Sequence, residues 1–125
     1  MDKQKILIAD DEPGVRLLVN RLLEEEYIVL EAADGEEAID IAKGQQPALV
    51  LMDLMMPKMD GYAACSRIKS DQGTKGIKVV ILTGVGHELN KKYAREMGAD
   101  GYITKPFTRE SLLEEMRRLL VSSQQ

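Results

Sequence analysis

The sequence has little of what staples, anchors or charges many small proteins. A single cysteine, Cys65, excludes an internal disulfide and points to a reducing, cytoplasmic setting, with the thiol expected as a small core residue on a helix. One histidine, His87, beside that one cysteine leaves too few donors for a zinc centre, and a lone loop histidine is expected to face solvent. There is no basic excess: the net charge of -4 and pI near 5.1 argue against direct binding of nucleic acid by this segment. No apolar run is long enough to cross a membrane, and the first, Ile6 to Ala9, is cut short by acids, so no signal peptide is expected. Repeats and low-complexity tracts are absent too. What remains, 125 residues with 44% hydrophobic and 30% charged, is the balance of one globular domain, expected to run over 1–125 without an internal boundary.

Four apolar runs end on polar groups. Lys5-Ile6-Leu7-Ile8-Ala9 leads into Asp10-Asp11-Glu12, and residues 48–53 carry no polar side chain until Asp53. Lys78 to Thr83 ends on a hydroxyl, and Gly101-Tyr102-Ile103-Thr104 is followed by Lys105-Pro106. Short runs of this kind fit strands buried on both faces of a parallel sheet. A fifth β-like run covers Tyr27 to Ala32.

Between the strands the apolar spacing turns helical. Val15, Leu18, Val19, Leu22 and Leu23 predict a helix over about 13–26, opened by Pro13. Asp34 caps a second, with Glu37 three residues on and a thin stripe of Ala38, Ile39 and Ala42, ending near Lys43-Gly44. Asp60-Gly61 opens a third, to about Ser70. A fourth, about 88–97, places Leu89, Tyr93 and Met97 on one face and stops at Gly98. Thr108 caps the last, over 108–121. Glu24 to Glu26 and Glu114-Glu115 are expected as solvated faces, with Arg117-Arg118 beside the latter.

Five strands alternating with five helices predict an α/β fold, a doubly wound five-stranded parallel sheet of the flavodoxin-like class. The strand order known for that class, 2-1-3-4-5, puts strands one and three side by side at the switch point, where ligands bind. Asp10, Asp11 and Asp53 then converge, and carboxylates so crowded call for a cation. An all-oxygen set suits Mg2+, with Mn2+ as a substitute. A carboxylate beside such a metal is a nucleophile toward phosphorus, and the Thr83 hydroxyl and Lys105 ammonium on the same rim can offset charge on phosphoryl oxygens.

These residues, in order, resemble the response-regulator receiver domain of two-component phosphorelays. The resemblance spans the whole chain and rests on 6–11 (Ile-Leu-Ile-Ala-Asp-Asp), 49–61 (Leu-Val-Leu-Met-Asp through Met-Asp-Gly), 79–84 (Val-Val-Ile-Leu-Thr-Gly) and 98–107 (Gly-Ala-Asp-Gly-Tyr-Ile-Thr-Lys-Pro-Phe). It implies that Asp53 takes a phosphoryl group from a phosphohistidine of a sensor histidine kinase or phosphotransfer protein. It implies magnesium held by Asp11, Asp53 and the Met55 backbone carbonyl, with Asp10 acting through water. Lys105 is then the phosphoryl partner, with a cis bond to Pro106. Thr83 and Tyr102 are the switch residues that reshape the face of helix 88–97, strand 101–104 and helix 108–121 for a downstream protein or output domain. The chain is expected to catalyse only its own phosphorylation and autodephosphorylation, not to act as an enzyme on other substrates.

Met55 and Val85 stand where this family varies beside the path of the hydrolytic water. Both are apolar, so a long-lived phosphoryl group is expected, and Met55→Asn or a polar residue at Val85 should shorten its lifetime. The alternative, a haloacid-dehalogenase-type phosphohydrolase, also begins with Asp at a strand end but needs a general acid two residues later, where this chain has Met55.

Overall fold

The computed structural model describes residues 3–84 and 90–122. Five strands alternate with five helices: β1 (Lys5–Ala9), α1 (Pro13–Leu23), β2 (Ile28–Ala32), α2 (Gly35–Gln45), β3 (Leu49–Asp53), α3 (Gly61–Ser70), β4 (Lys78–Thr83), α4 (Asn90–Glu96), β5 (Gly101–Thr104) and α5 (Arg109–Ser122). The strands form one parallel sheet in the order β2-β1-β3-β4-β5. This is the doubly wound, flavodoxin-like arrangement that the sequence predicts.

Alternation along the strands divides the core in two. Leu7, Ala9, Val50, Met52, Val79 and Ile81 point to the side covered by α2 and α3. Ile6, Ile8, Leu49, Leu51, Val80 and Leu82 point to the side covered by α1 and α5. Both faces of each central strand are buried, which is why these strands have no polar partner residues between apolar ones. Among the described residues no buried side-chain nitrogen or oxygen lacks a hydrogen bond.

The helix starts follow local chemistry. The carboxylate of Asp34 accepts from the Glu37 amide at 2.8 Å, and that of Asp60 accepts from the Ala63 amide at 2.8 Å. The Thr108 hydroxyl accepts from the Ser111 amide at 3.0 Å, while the Ser111 hydroxyl accepts from the Thr108 amide. Helix α1 ends at Leu23, three residues sooner than the spacing predicts, since Glu24 to Glu26 offer no apolar residue to hold another turn. Two predicted faces also differ. Leu18 is about half exposed while Val19 and Leu23 carry the α1 contact, and on α4 Tyr93 is exposed and meets Tyr62 edge-on, with Ala94 buried in its place. Leu89, like Val85 and His87, falls outside the described residues.

Gly61 is fixed by proximity. A Cβ there would run into the carbonyl oxygen of Asp53 and sit 2.9 Å from the Leu54 Cα, and backbone has no means of yielding cheaply. Gly61→Ala is therefore expected to destabilise the fold by about 2 kcal/mol, read as a lower urea midpoint at unchanged slope. A midpoint equal to that of the wild type would show that the β3–α3 loop relaxes freely.

Candidate functional site

Strand register gathers the polar strand ends. Ala9 pairs with Met52, so Asp10 lies level with Asp53 at the carboxyl edge of the sheet. Asp53 pairs with Leu82, which places Thr83 one step beyond, and Thr83 pairs with Thr104, which places Lys105 beyond that. The Lys105 amide donates to the Thr83 carbonyl at 2.6 Å, tying the β5–α5 loop to the end of β4. The bond from Lys105 to Pro106 is cis.

One ammonium serves two carboxylates. Lys105 Nζ lies 3.0 Å from Asp53 Oδ1 and 3.2 Å from Asp10 Oδ2, and the Asp10 side chain is fully buried. Burial raises the Asp53 carboxyl above the ordinary carboxylate range; the Lys105 hydrogen bond opposes this, and the Asp10 and Asp11 carboxylates push further up. For Lys105, burial works to lower the ammonium's pKa, but Asp53 and Asp10 outweigh it and the net direction is up. Both partners move up because burial of Asp53 outweighs the one cation it shares with Asp10, whereas Lys105 has two anions that outweigh its own burial.

Asp10 is already engaged on both oxygens, Oδ1 accepting from the Glu12 amide at 2.9 Å and Oδ2 from Lys105. Asp11 and Glu12 are exposed, and Asp10, Asp11 and Glu12 each bring one carboxylate oxygen within 4.8 Å of the others. Such a set of hard oxygen donors suits a divalent cation of the magnesium type. Glu12 is absent from the sequence-based site. It was legible only as the residue before a helix, and its carboxylate does not cap that helix. Asp53 is not within that tight trio; it faces it across Lys105.

Arg16 is a second residue the sequence did not single out. Its Nη1 donates to the Asp10 carbonyl oxygen at 2.6 Å and its Nε to Glu31 Oε1 at 3.0 Å, so the guanidinium pins the acidic turn against the end of β2. No periodicity signals this, because Arg16 reads only as a polar position on α1. Thr83 is buried, and its hydroxyl has one long bond to the Gly84 carbonyl at 3.3 Å, which leaves the proton weakly held. Tyr102 is half-buried on β5, opposite Ile81, and packs against the α2/α3-side core. Met55 follows Asp53 by two residues with its side chain 78% exposed. Val85 lies outside the described residues.

Comparison with known proteins agrees with this fold. The family model of the response regulator receiver domain matches residues 6–117. The DNA-binding dual master transcriptional regulator RpaA of Synechocystis is 42% identical over 117 residues, covering 93% of this chain but 48% of its own length. The chain thus spans about half the length of such regulators. The chemotaxis protein CheY of Halobacterium salinarum is 39% identical over 120 residues, covering 95% of this chain and 98% of that protein. A response regulator from Chloroflexus aurantiacus superimposes with a TM-score of 0.92 at 30% identity, over 96% of this chain and 99% of that one. The receiver domain of a sensor histidine kinase from Pseudomonas aeruginosa, described with a magnesium ion coordinated in its active-site cleft, gives 0.88 at 27% identity over 96% and 99% of the two chains. The family match over most of the chain, with the shared fold, shows that this chain belongs to the response regulator receiver domains.

Proposed function

We propose that Asp53 is the phosphoacceptor of this receiver domain. The observation that carries the reading is the Lys105 ammonium held between Asp53 and Asp10 on the same rim as the Thr83 hydroxyl. An Asp53 carboxylate oxygen attacks phosphorus, the phosphorus–nitrogen bond of a kinase phosphohistidine breaks, and the imidazole keeps that electron pair. Lys105 holds positive charge beside the oxygens of the transferred group, and Thr83 offers a hydroxyl donor. The second reading, a phosphohydrolase, gains no support: position 55 carries a thioether, which has no proton to donate.

Magnesium fits the donor set. Asp11, Asp53 and the Met55 carbonyl would hold it, with Asp10, whose oxygens are already bonded, acting through water and exposed Glu12 close by. Bound there, the metal would supply positive charge at the phosphoryl oxygens. Arg16 would act as a positioning residue by fixing the peptide between Asp10 and Asp11. Arg16→Ala is expected to weaken magnesium binding about tenfold in a calorimetric titration, with a smaller loss for Glu31→Gln. An unchanged affinity would leave Arg16 a purely structural tie.

Tyr102 and the face of α4, β5 and α5 are read as the output, switched when Thr83 moves toward the phosphoryl group. That face would serve a downstream protein or an output domain, and the chain would act on no substrate but its own aspartate. Among the described residues no helix is long and apolar enough to cross a membrane. The test of the reading is incubation with acetyl phosphate, followed by intact mass. A gain of one phosphoryl group by the wild type with magnesium, and none with a chelator or in Asp53→Asn, is expected; no gain by the wild type, or an equal gain by the variant, would overturn it.

A further inference from the structure

Four methionines crowd the end of β3 and the loop after it: Met52, Met55, Met56 and Met59. Their environments differ sharply. Met52 is fully buried, and Met56 and Met59 pack against the α2/α3-side core. Elsewhere Met116 is fully buried and Met97 half-buried. Met55 alone among the described methionines projects into solvent, 78% exposed. The loop that carries it is closed by the Gly61 amide donating to the Leu54 carbonyl at 2.9 Å, so the Met55 backbone is held beside Asp53 while its side chain is free.

We propose that the Met55 thioether is a peroxide-oxidation site, and that its sulfoxide shortens the life of the phosphoryl group on Asp53. The second half rests on the phosphoacceptor reading given above. In the oxidation, a sulfur lone pair takes one oxygen of hydrogen peroxide and the O–O bond breaks. The sulfur gives up two electrons, and the second oxygen leaves as water with both protons. The chain's one thiol does not compete, since Cys65 is fully buried and burial pushes it up to about 12, leaving no thiolate for peroxide.

The consequence follows from what the new oxygen can do. A thioether accepts hydrogen bonds poorly, whereas a sulfoxide oxygen is a strong acceptor, placed as many bonds from Cα as the amide oxygen of glutamine. A water donating to it turns a lone pair toward phosphorus. The Met55 carbonyl is untouched, so uptake of the phosphoryl group should persist while its hydrolysis accelerates. The expected gain is about three- to tenfold, the size of one ordinary hydrogen bond made in the transition state.

The test is graded peroxide treatment with peptide mass mapping, then labelling by acetyl phosphate with magnesium and timing of the decay. Met55 should be oxidised ahead of Met52, Met56, Met59, Met97 and Met116, and label should then decay faster. Met55→Gln should decay fast without peroxide, and Met55→Leu should decay at one rate with or without it. Earlier oxidation of any of those other methionines, or one decay rate before and after complete oxidation of Met55, would overturn the proposal. Wild type that takes no label at all, with Met55 oxidised first, would overturn the phosphoacceptor reading and with it the effect on lifetime, leaving the oxidation site established.

Discussion

Asp53→Asn takes up no phosphoryl group from acetyl phosphate and magnesium, and in metal-free buffer it unfolds at a higher temperature than the wild type. The first effect is complete because an amide is no nucleophile toward phosphorus at neutral pH. The second follows from crowding. Burial holds the folded-state pKa of Asp53 above its ordinary value of 3.8, with Asp10 and Asp11 adding to the shift. A carboxyl raised in the folded state contributes fully below its unfolded pKa, and that contribution is lost as pH rises through the folded value. At neutral pH the wild type therefore carries a penalty that asparagine lacks. The thermal midpoint is expected to rise by roughly 2–6 °C at pH 7, and the difference should shrink toward zero below the ordinary carboxylate range. A midpoint that falls in the variant would mean that the Lys105 hydrogen bond outweighs burial and repulsion.

Replacing Lys105 is expected to act in the opposite sense on stability and in the same sense on chemistry. Lys105→Ala leaves the fully buried Asp10 side chain and the largely buried Asp53 side chain facing each other without a cation. Breaking a buried pair on one side costs several kcal/mol in general, and the one-quarter exposure of Lys105 reduces that here to about 2 kcal/mol. Magnesium should restore part of the loss. Labelling by acetyl phosphate should slow about 10²- to 10³-fold, the usual size of removing one preorganised donor from a phosphoryl or oxyanion site. Lys105→Arg keeps the charge but not the compact ammonium that fits between two carboxylates, so an intermediate rate is expected. A Lys105→Ala rate within about twofold of the wild type would remove Lys105 from the chemistry and leave it a counter-ion only.

The central strands β1, β3 and β4 were legible because each is an uninterrupted apolar run that stops at a polar group, and the sheet buries both faces of them. Helix starts were legible because Asp34, Asp60 and Thr108 act within three residues of themselves. What could not be read depends on contacts between distant segments. Glu26, expected as part of a solvated acidic run, accepts from Arg109 and Arg117 of α5. These pairings need the fold to bring 26 and 117 together. The same holds for Arg16, whose role depends on the Asp10 carbonyl, just past β1, lying beside Glu31 of the neighbouring β2. On α4 helical spacing selected Tyr93, yet the buried residue is Ala94, and Tyr93 instead meets Tyr62 edge-on, a contact between distant segments that no spacing shows.

The central claim is that one carboxylate among several neighbours takes the phosphoryl group. Asp10, Asp11, Glu12 and Asp53 all stand at this edge, and intact mass alone does not separate them. Borohydride reduces an acyl phosphate to the alcohol, so the labelled aspartate becomes homoserine and is located by peptide mass mapping. Reduction of the magnesium-dependent, acetyl phosphate-labelled protein should place homoserine at position 53 and nowhere else. Reduction at Asp11 or Glu12, with Asp53 intact, would contradict the account.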